Sequence, residues 1–125
     1  MTDEETTVQA LRQRVARFVA ERDWEPFHSP KNLVMSLAIE VSELMEHFQW
    51  ITTEQSRLVV NDATKRVAVR EELADVLSYT LALANELQID LSAALEDKMR
   101  KNALKYPVQT FRGRYGMDDP SSPAP

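Results

Sequence analysis

Apolar residues recur along this chain at intervals of three and four, and no stretch sustains an apolar/polar alternation of period two. A first helix is predicted over residues 7–22, with Val8, Leu11, Val15, Phe18 and Val19 on one face. The segment "DWEPFHSPKN" then interrupts it with Pro26 and Pro30. Ser29 has the chemistry of an N-cap, and Pro30 suits the first position of a second helix reaching about Trp50. "ITTEQSRLVVND" reads as a connector with a short helical turn after Thr52 or Thr53. A third long helix begins after Asn61 or Asp62 and continues to about Leu87. "QIDLSAA" marks a break, with Asp90 capping a fourth helix that ends at Tyr106 because Pro107 cannot continue it. The pattern predicts an all-α fold, a four-helix-type bundle with a short connector helix.

The second and third long helices carry acids where a buried stripe would exclude them. At about 100° per residue, Leu33, Leu37, Val41, Leu44, Phe48 and Ile51 form the apolar stripe of the second helix. Glu40 lies on the edge of that stripe and Glu43 about 60° further round, with Ile39 and Trp50 beyond. Glu46 falls toward the polar face. In the third long helix Val69, Leu73, Val76, Leu77, Thr80, Leu83 and Leu87 make the stripe, Glu72 and Asp75 border it, and Tyr79 follows one turn on. Glu71 points to solvent. A lone E-x-x-E on a helix reads as a solvated face. Two of them, each bordered by apolar residues on neighbouring helices, would bring four carboxylates together. Such a group needs protons or cations among its oxygens.

Composition narrows the chemistry. The net charge of −5 argues against binding a nucleic-acid polymer, but a few cations could still hold a small anion. With no cysteine, disulfides and thiolate zinc sites are excluded, and a reducing cytoplasm is the expected location. The two glycines, Gly113 and Gly116, cannot build a P-loop or a Rossmann fingerprint. "MTDEETTVQA" is too acidic for a signal peptide, and no apolar run is long enough for a membrane span. For the acids, hard divalent cations are the natural partners: Mg²⁺, with Mn²⁺ as a possible substitute. A di-iron bundle would need Glu-x-x-His on two helices, which His28 in its proline-interrupted loop and His47 do not supply.

Other residues suit a polyphosphate and a base. Lys98, Asn102 and Lys105 share one face of the fourth helix, which is either a solvated basic face or a phosphate contact. Tyr106 follows them, while Arg100 and Lys101 point elsewhere. Trp24, Phe27 and Trp50 offer flat apolar area for a base or for the core. His28 suits a hydrogen bond to a phosphate, a base edge or the backbone.

"IEVSELMEHFQW" followed by "REELADVLSYTLALA" resembles the MazG-like branch of the all-α nucleoside triphosphate pyrophosphatases, across residues 8 to about 107. "RDWEPFHSPKNLVMSLAIEVSEL" is most similar to the dCTP pyrophosphatase subgroup. The resemblance implies a helical bundle that oligomerises as a dimer or tetramer. It implies Mg²⁺-dependent hydrolysis of a (deoxy)nucleoside triphosphate, dCTP or a modified dCTP, to the monophosphate and pyrophosphate. By motif, Glu40 and Glu43 match the first metal-binding pair and Glu72 and Asp75 the second. Glu43 is the acid expected to take a proton from the attacking water. The resemblance further assigns Lys98 and Asn102, joined by Tyr106, to the nucleotide, Trp24 and Trp50 to the base, and Tyr79 to the sugar. Some dCTP-selective relatives carry a histidine on the first helix, where this chain has Val15 in "RQRVARF".

The expected organisation is a tail over residues 1–6, the helical domain over 7–112 and a flexible tail over 113–125 ending in "MDDPSSPAP". The apolar flanks of the second and third long helices exceed what a chain this short can bury, so self-association is expected. Two alternatives remain: a hydrolase of another diphosphate-containing nucleotide, and a non-catalytic interaction module. In the latter the acids would pair with arginines such as Arg66 and Arg70.

Overall fold

The computed structural model describes residues 1–114 and 116, so the expected disorder of "MDDPSSPAP" lies outside the described residues. Every element among the described residues is helical: α1 (Val8–Ala20), α2 (Pro30–Glu46), α3 (Thr53–Leu58), α4 (Ala63–Leu87), α5 (Leu91–Lys105) and α6 (Val108–Phe111). Single 3-10 turns occupy Glu25–Phe27 and Val59–Asn61. The helix starts follow from side-chain caps. Thr7, Ser29, Thr52, Asp62 and Asp90 each accept a hydrogen bond from a backbone N–H three residues on. At α3 the cap is reciprocal, because the Gln55 side chain also accepts from the Thr52 N–H.

Two boundaries depart from the expected ones. The second helix ends at Glu46 and not near Trp50, and residues 47–50 continue as turns. A short helix, α6, follows Pro107, where none was expected. Its N–H groups at Thr110 and Phe111 donate to the Pro107 carbonyl.

The chain divides into two compact units, Met1–Ile89 and the part from Asp90 onward. In the first, α2 packs on α4, and α1 packs on α4's C-terminal half. The core is small: Leu33, Val59, Leu81, Ala82 and Ala84. Leu73 and Leu77, expected in the core, are 56% and 46% exposed. No neighbour in the unit covers that face, whereas Leu81, Ala82 and Ala84 lie where α1 docks.

Arg12 fixes that docking. Its Nε donates to Asn85 Oδ1 at 2.9 Å, and its two terminal nitrogens donate to the carbonyls of Ile89 (2.6 Å) and Ala84 (3.0 Å). Asn85 donates back to the Arg12 carbonyl. The N-terminal part of α1 therefore lies at the C-terminal end of α4, and the two helices run antiparallel. Gln88 closes α4 in the left-handed region (φ 53°), which returns the chain so that the Ile89 N–H meets the Ala84 carbonyl. In the second unit, α5 carries an Arg100 that pairs with Glu96 and Asp97 on its own exposed surface.

Candidate active site

The acids of α2 and α4 converge. Carboxylate oxygens of Glu40, Glu43 and Glu72 lie within 4.8 Å of one another. Asp75 stands one turn beyond Glu72 and is close enough to act electrostatically on both Glu40 and Glu72. Glu40 and Glu72 are half-buried, and each has one buried oxygen, Oε2, without a hydrogen-bond partner. A buried carboxylate oxygen without a donor is costly. Burial, then hydrogen bonding and charge repulsion from Glu43, then the charges of Asp75 and Glu72, push the Glu40 carboxyl up to about 7. Glu72 is also raised, first by burial and then by Glu43 and Asp75, with His47 opposing. No lysine or arginine neutralises the group, since every ion pair among the described residues lies elsewhere. Arg66 and Arg70 instead line an apolar groove with Val60, Leu73 and Leu77, so the ion-paired arrangement of the interaction module does not form. Two unpartnered buried oxygens facing like charges fit a hard divalent cation.

Next to the acids lies a cavity of about 370 Å³, into which Asp75 also faces. Trp24, His28 and Tyr79, all expected at the site, line it. The wall is organised by the turn after α1. Asp23 adopts a left-handed conformation (φ 51°), and the Trp24 N–H donates to the Val19 carbonyl. This folds the indole back onto α1, edge to face with Phe18 at 5.7 Å. The Arg22 guanidinium covers the other ring partner, 3.7 Å from the Phe18 centroid, and donates to the Phe18 carbonyl. His28 tilts against Trp24 at 6.4 Å. The Asn32 side chain, donating to the Phe27 carbonyl, ties the loop to the start of α2.

Within the first unit one expected residue stands apart. Trp50 is 87% exposed and does not line the cavity, because α2 has ended before it. Lys98 and Asn102 occupy successive turns of α5 in the second unit, and Tyr106 caps that helix with its ring against Phe111 at 5.2 Å. Sequence reasoning missed Arg14, Phe18 and Ser78 as lining residues. Ser78 was within reach, since Asp75, Ser78, Tyr79 and Ala82 follow the spacing of one helix face. Nothing in the sequence marked Arg14.

The chain is similar to known proteins over most of its length. A profile of the MazG-like family matches residues 35–115. The chain is 44% identical to "dCTP pyrophosphatase 1" of Bos taurus over 109 residues, which is 87% of this chain. It is 44% identical to the Homo sapiens protein of the same name over 108 residues, or 86% of this chain. It spans 64% of the length of these curated relatives. A crystal structure of a pyrophosphatase from Archaeoglobus fulgidus superposes with a TM-score of 0.76 at 36% identity, covering 86% of this chain and 98% of that one. On the profile match, the level of identity and the shared fold, the chain belongs to the MazG-like family.

Proposed function

We propose that the protein hydrolyses a deoxynucleoside triphosphate, dCTP or a close relative, to the monophosphate and pyrophosphate. The observation that carries this reading is the cluster of Glu40, Glu43 and Glu72, with two unpartnered buried oxygens, opening through Asp75 onto an aromatic-walled cavity. The matched relatives named dCTP pyrophosphatase support the choice of substrate.

Glu40, Glu43, Glu72 and Asp75 would hold Mg²⁺, or Mn²⁺ in its place. Bound there, the ion would offset charge on the phosphate oxygens and acidify water. Trp24, Phe18 and Tyr79 supply a slot in which a base can stack, while Asp75 stands at the side toward the phosphates. Glu43, exposed where Glu40 and Glu72 are half-buried, would also take the proton of a water attacking the α-phosphorus. The bond from that phosphorus to the β-bridging oxygen breaks, and pyrophosphate leaves.

Self-association belongs to the same reading. α4 leaves Val67, Leu73 and Leu77 open to water, and α2 leaves Met35, Ile39 and Met45 open. Pairing with further copies as a dimer or tetramer would cover this area. The deciding experiment assays a nucleotide panel for pyrophosphate against orthophosphate release, with and without Mg²⁺. Pyrophosphate and dCMP from dCTP, only with the metal, is the expected result. Orthophosphate release, or full activity after chelation, would overturn the reading.

A further inference from the structure

The cavity beside the acids offers polar side chains at few points. α4 presents Asp75, Ser78 and Tyr79, the loop presents His28, and α1 presents Arg14 beside the apolar Val15, Phe18 and Val19. Among the described residues Arg14 makes no hydrogen bond and no ion pair. Two residues earlier, Arg12 is fully engaged at the C-terminus of α4, which locks the register of α1. That register sets where Arg14 stands. Because the helices are antiparallel, Arg14 lies toward the Ala82 end of the cavity and Asp75 at the other. One helix face from position 75 to 82 spans about 10 Å. Helical side chains lean toward their own N-terminus, so Arg14 leans still further from the acids. Its place suits the base and not the phosphates.

Ser78 adds a second polar point. Two nearby hydroxyls turn back on their own helices, Ser42 to the Ala38 carbonyl and Thr80 to the Val76 carbonyl. Ser78 makes no such bond among the described residues, and its hydroxyl is left for the cavity.

We propose that Arg14 and Ser78 read the base edge, and that Arg14 selects cytosine over thymine and uracil. This rests on the cavity being the base site of the triphosphate pyrophosphatase proposed above. An arginine fork only donates, whereas a serine hydroxyl donates or accepts. Cytosine presents two neighbouring acceptors, N3 and O2, and beside them the 4-amino group. Arg14 donates to the acceptors, and Ser78 accepts from the amine. Thymine and uracil carry a proton on N3 and an oxygen at position 4. Their N3–H would face an Arg14 donor, leaving both without an acceptor, whereas Ser78 can turn its hydroxyl to donate to the oxygen at position 4.

The test compares kcat/KM for dCTP, dTTP and dUTP, read as pyrophosphate release with Mg²⁺, in the wild type and in Arg14→Leu, Arg14→Lys and Ser78→Ala. The wild-type arm alone tests the functional reading: no pyrophosphate from any triphosphate would sink it. Given activity, Arg14→Leu should lower dCTP turnover by roughly 10-fold while changing dTTP and dUTP less than about threefold. Ser78→Ala should lower turnover of all three triphosphates by a similar, smaller factor, because the hydroxyl serves an amine or a carbonyl alike. Arg14→Lys keeps the charge and loses the fork, so it should also flatten the preference. It stands in if Arg14→Leu melts early. An unchanged dCTP/dTTP ratio in the arginine variants overturns the proposal. Equal losses for all three triphosphates in those variants overturn it as well, because they would make Arg14 a phosphate contact.

Discussion

Between Leu81 and Asn85, α4 is shielded on the side where α1 docks, and its last carbonyls are taken by Arg12, Gln88 and Ile89. Two turns earlier the same helix carries Glu72 and Asp75 beside like charges, with buried oxygens unpartnered and Leu73 and Leu77 open to water. From Leu81 onward the helix satisfies its last carbonyls within the chain. From Glu72 to Leu77 it leaves a buried carboxylate oxygen and apolar side chains for something outside it. Unsatisfied groups in a native fold mark the places where stability has been given up for chemistry. Substitutions should therefore separate the halves, costing turnover in one and folding in the other.

The largest effect falls on the acids. Glu72→Ala or Asp75→Ala should lower pyrophosphate release by at least about 100-fold, because each removes a ligand oxygen from the group that faces the phosphates. The same variants should melt no earlier than the wild type without metal, since they relieve repulsion. Near wild-type turnover in either would mean that the acids of α4 do not serve the reaction.

The other half should respond in the opposite way. Arg12→Ala strips donors from Asn85 Oδ1 and from the Ala84 and Ile89 carbonyls. The expected cost is about 2 kcal/mol of stability, measured by urea denaturation. Turnover per folded molecule at low temperature should survive. Arg12→Lys should recover only part of the loss, because an ammonium cannot span three acceptors in one plane.

The halves were not equally legible in the sequence. The acids announced themselves, because Glu40, Glu43, Glu72 and Asp75 stood at fixed helical spacing against apolar stripes. Helix starts were equally plain, since Ser29 and Asp90 cap by local chemistry that needs no tertiary partner. The end of α2 was not. The apolar Phe48, Trp50 and Ile51 extend the periodicity of the helix, yet the chain turns after Glu46 with no proline or glycine to mark it. Trp50, which the resemblance assigns to the base, lies past that end, exposed and outside the lining of the cavity. The stripe of α4 was legible as apolar but not as buried, because burial depends on which helix lies opposite. Arg14 was invisible for a similar reason: its position follows from the register that Arg12 sets, 73 residues away from Asn85.

The smallest effect is also the most direct reading of the contrast, because it asks whether the acids destabilise the fold without a cation. Glu40 is raised from 4.5 to about 7 by burial and by Glu43, Asp75 and Glu72. A carboxyl whose pKa is higher in the folded chain than in the unfolded one binds its proton more tightly when folded. The folded state is therefore favoured below the unfolded value, and that advantage is lost as pH rises through the folded value. Without divalent cations, the melting temperature should fall between about pH 4.5 and pH 7, on top of whatever the remaining groups contribute. Glu40→Gln, which cannot ionise, should flatten that slope and melt higher at pH 8. Mg²⁺ should act in the opposite sense, raising the melting temperature more at pH 8 than at pH 5, because it competes with the proton for the same oxygens. Thermal denaturation across this range, with chelator and with Mg²⁺, separates the cases. A wild-type slope identical to that of Glu40→Gln, with no response to Mg²⁺ at either pH, would show that Glu40 of α2 and the acids of α4 beside it call for no cation, and the contrast with the self-contained end of α4 would disappear.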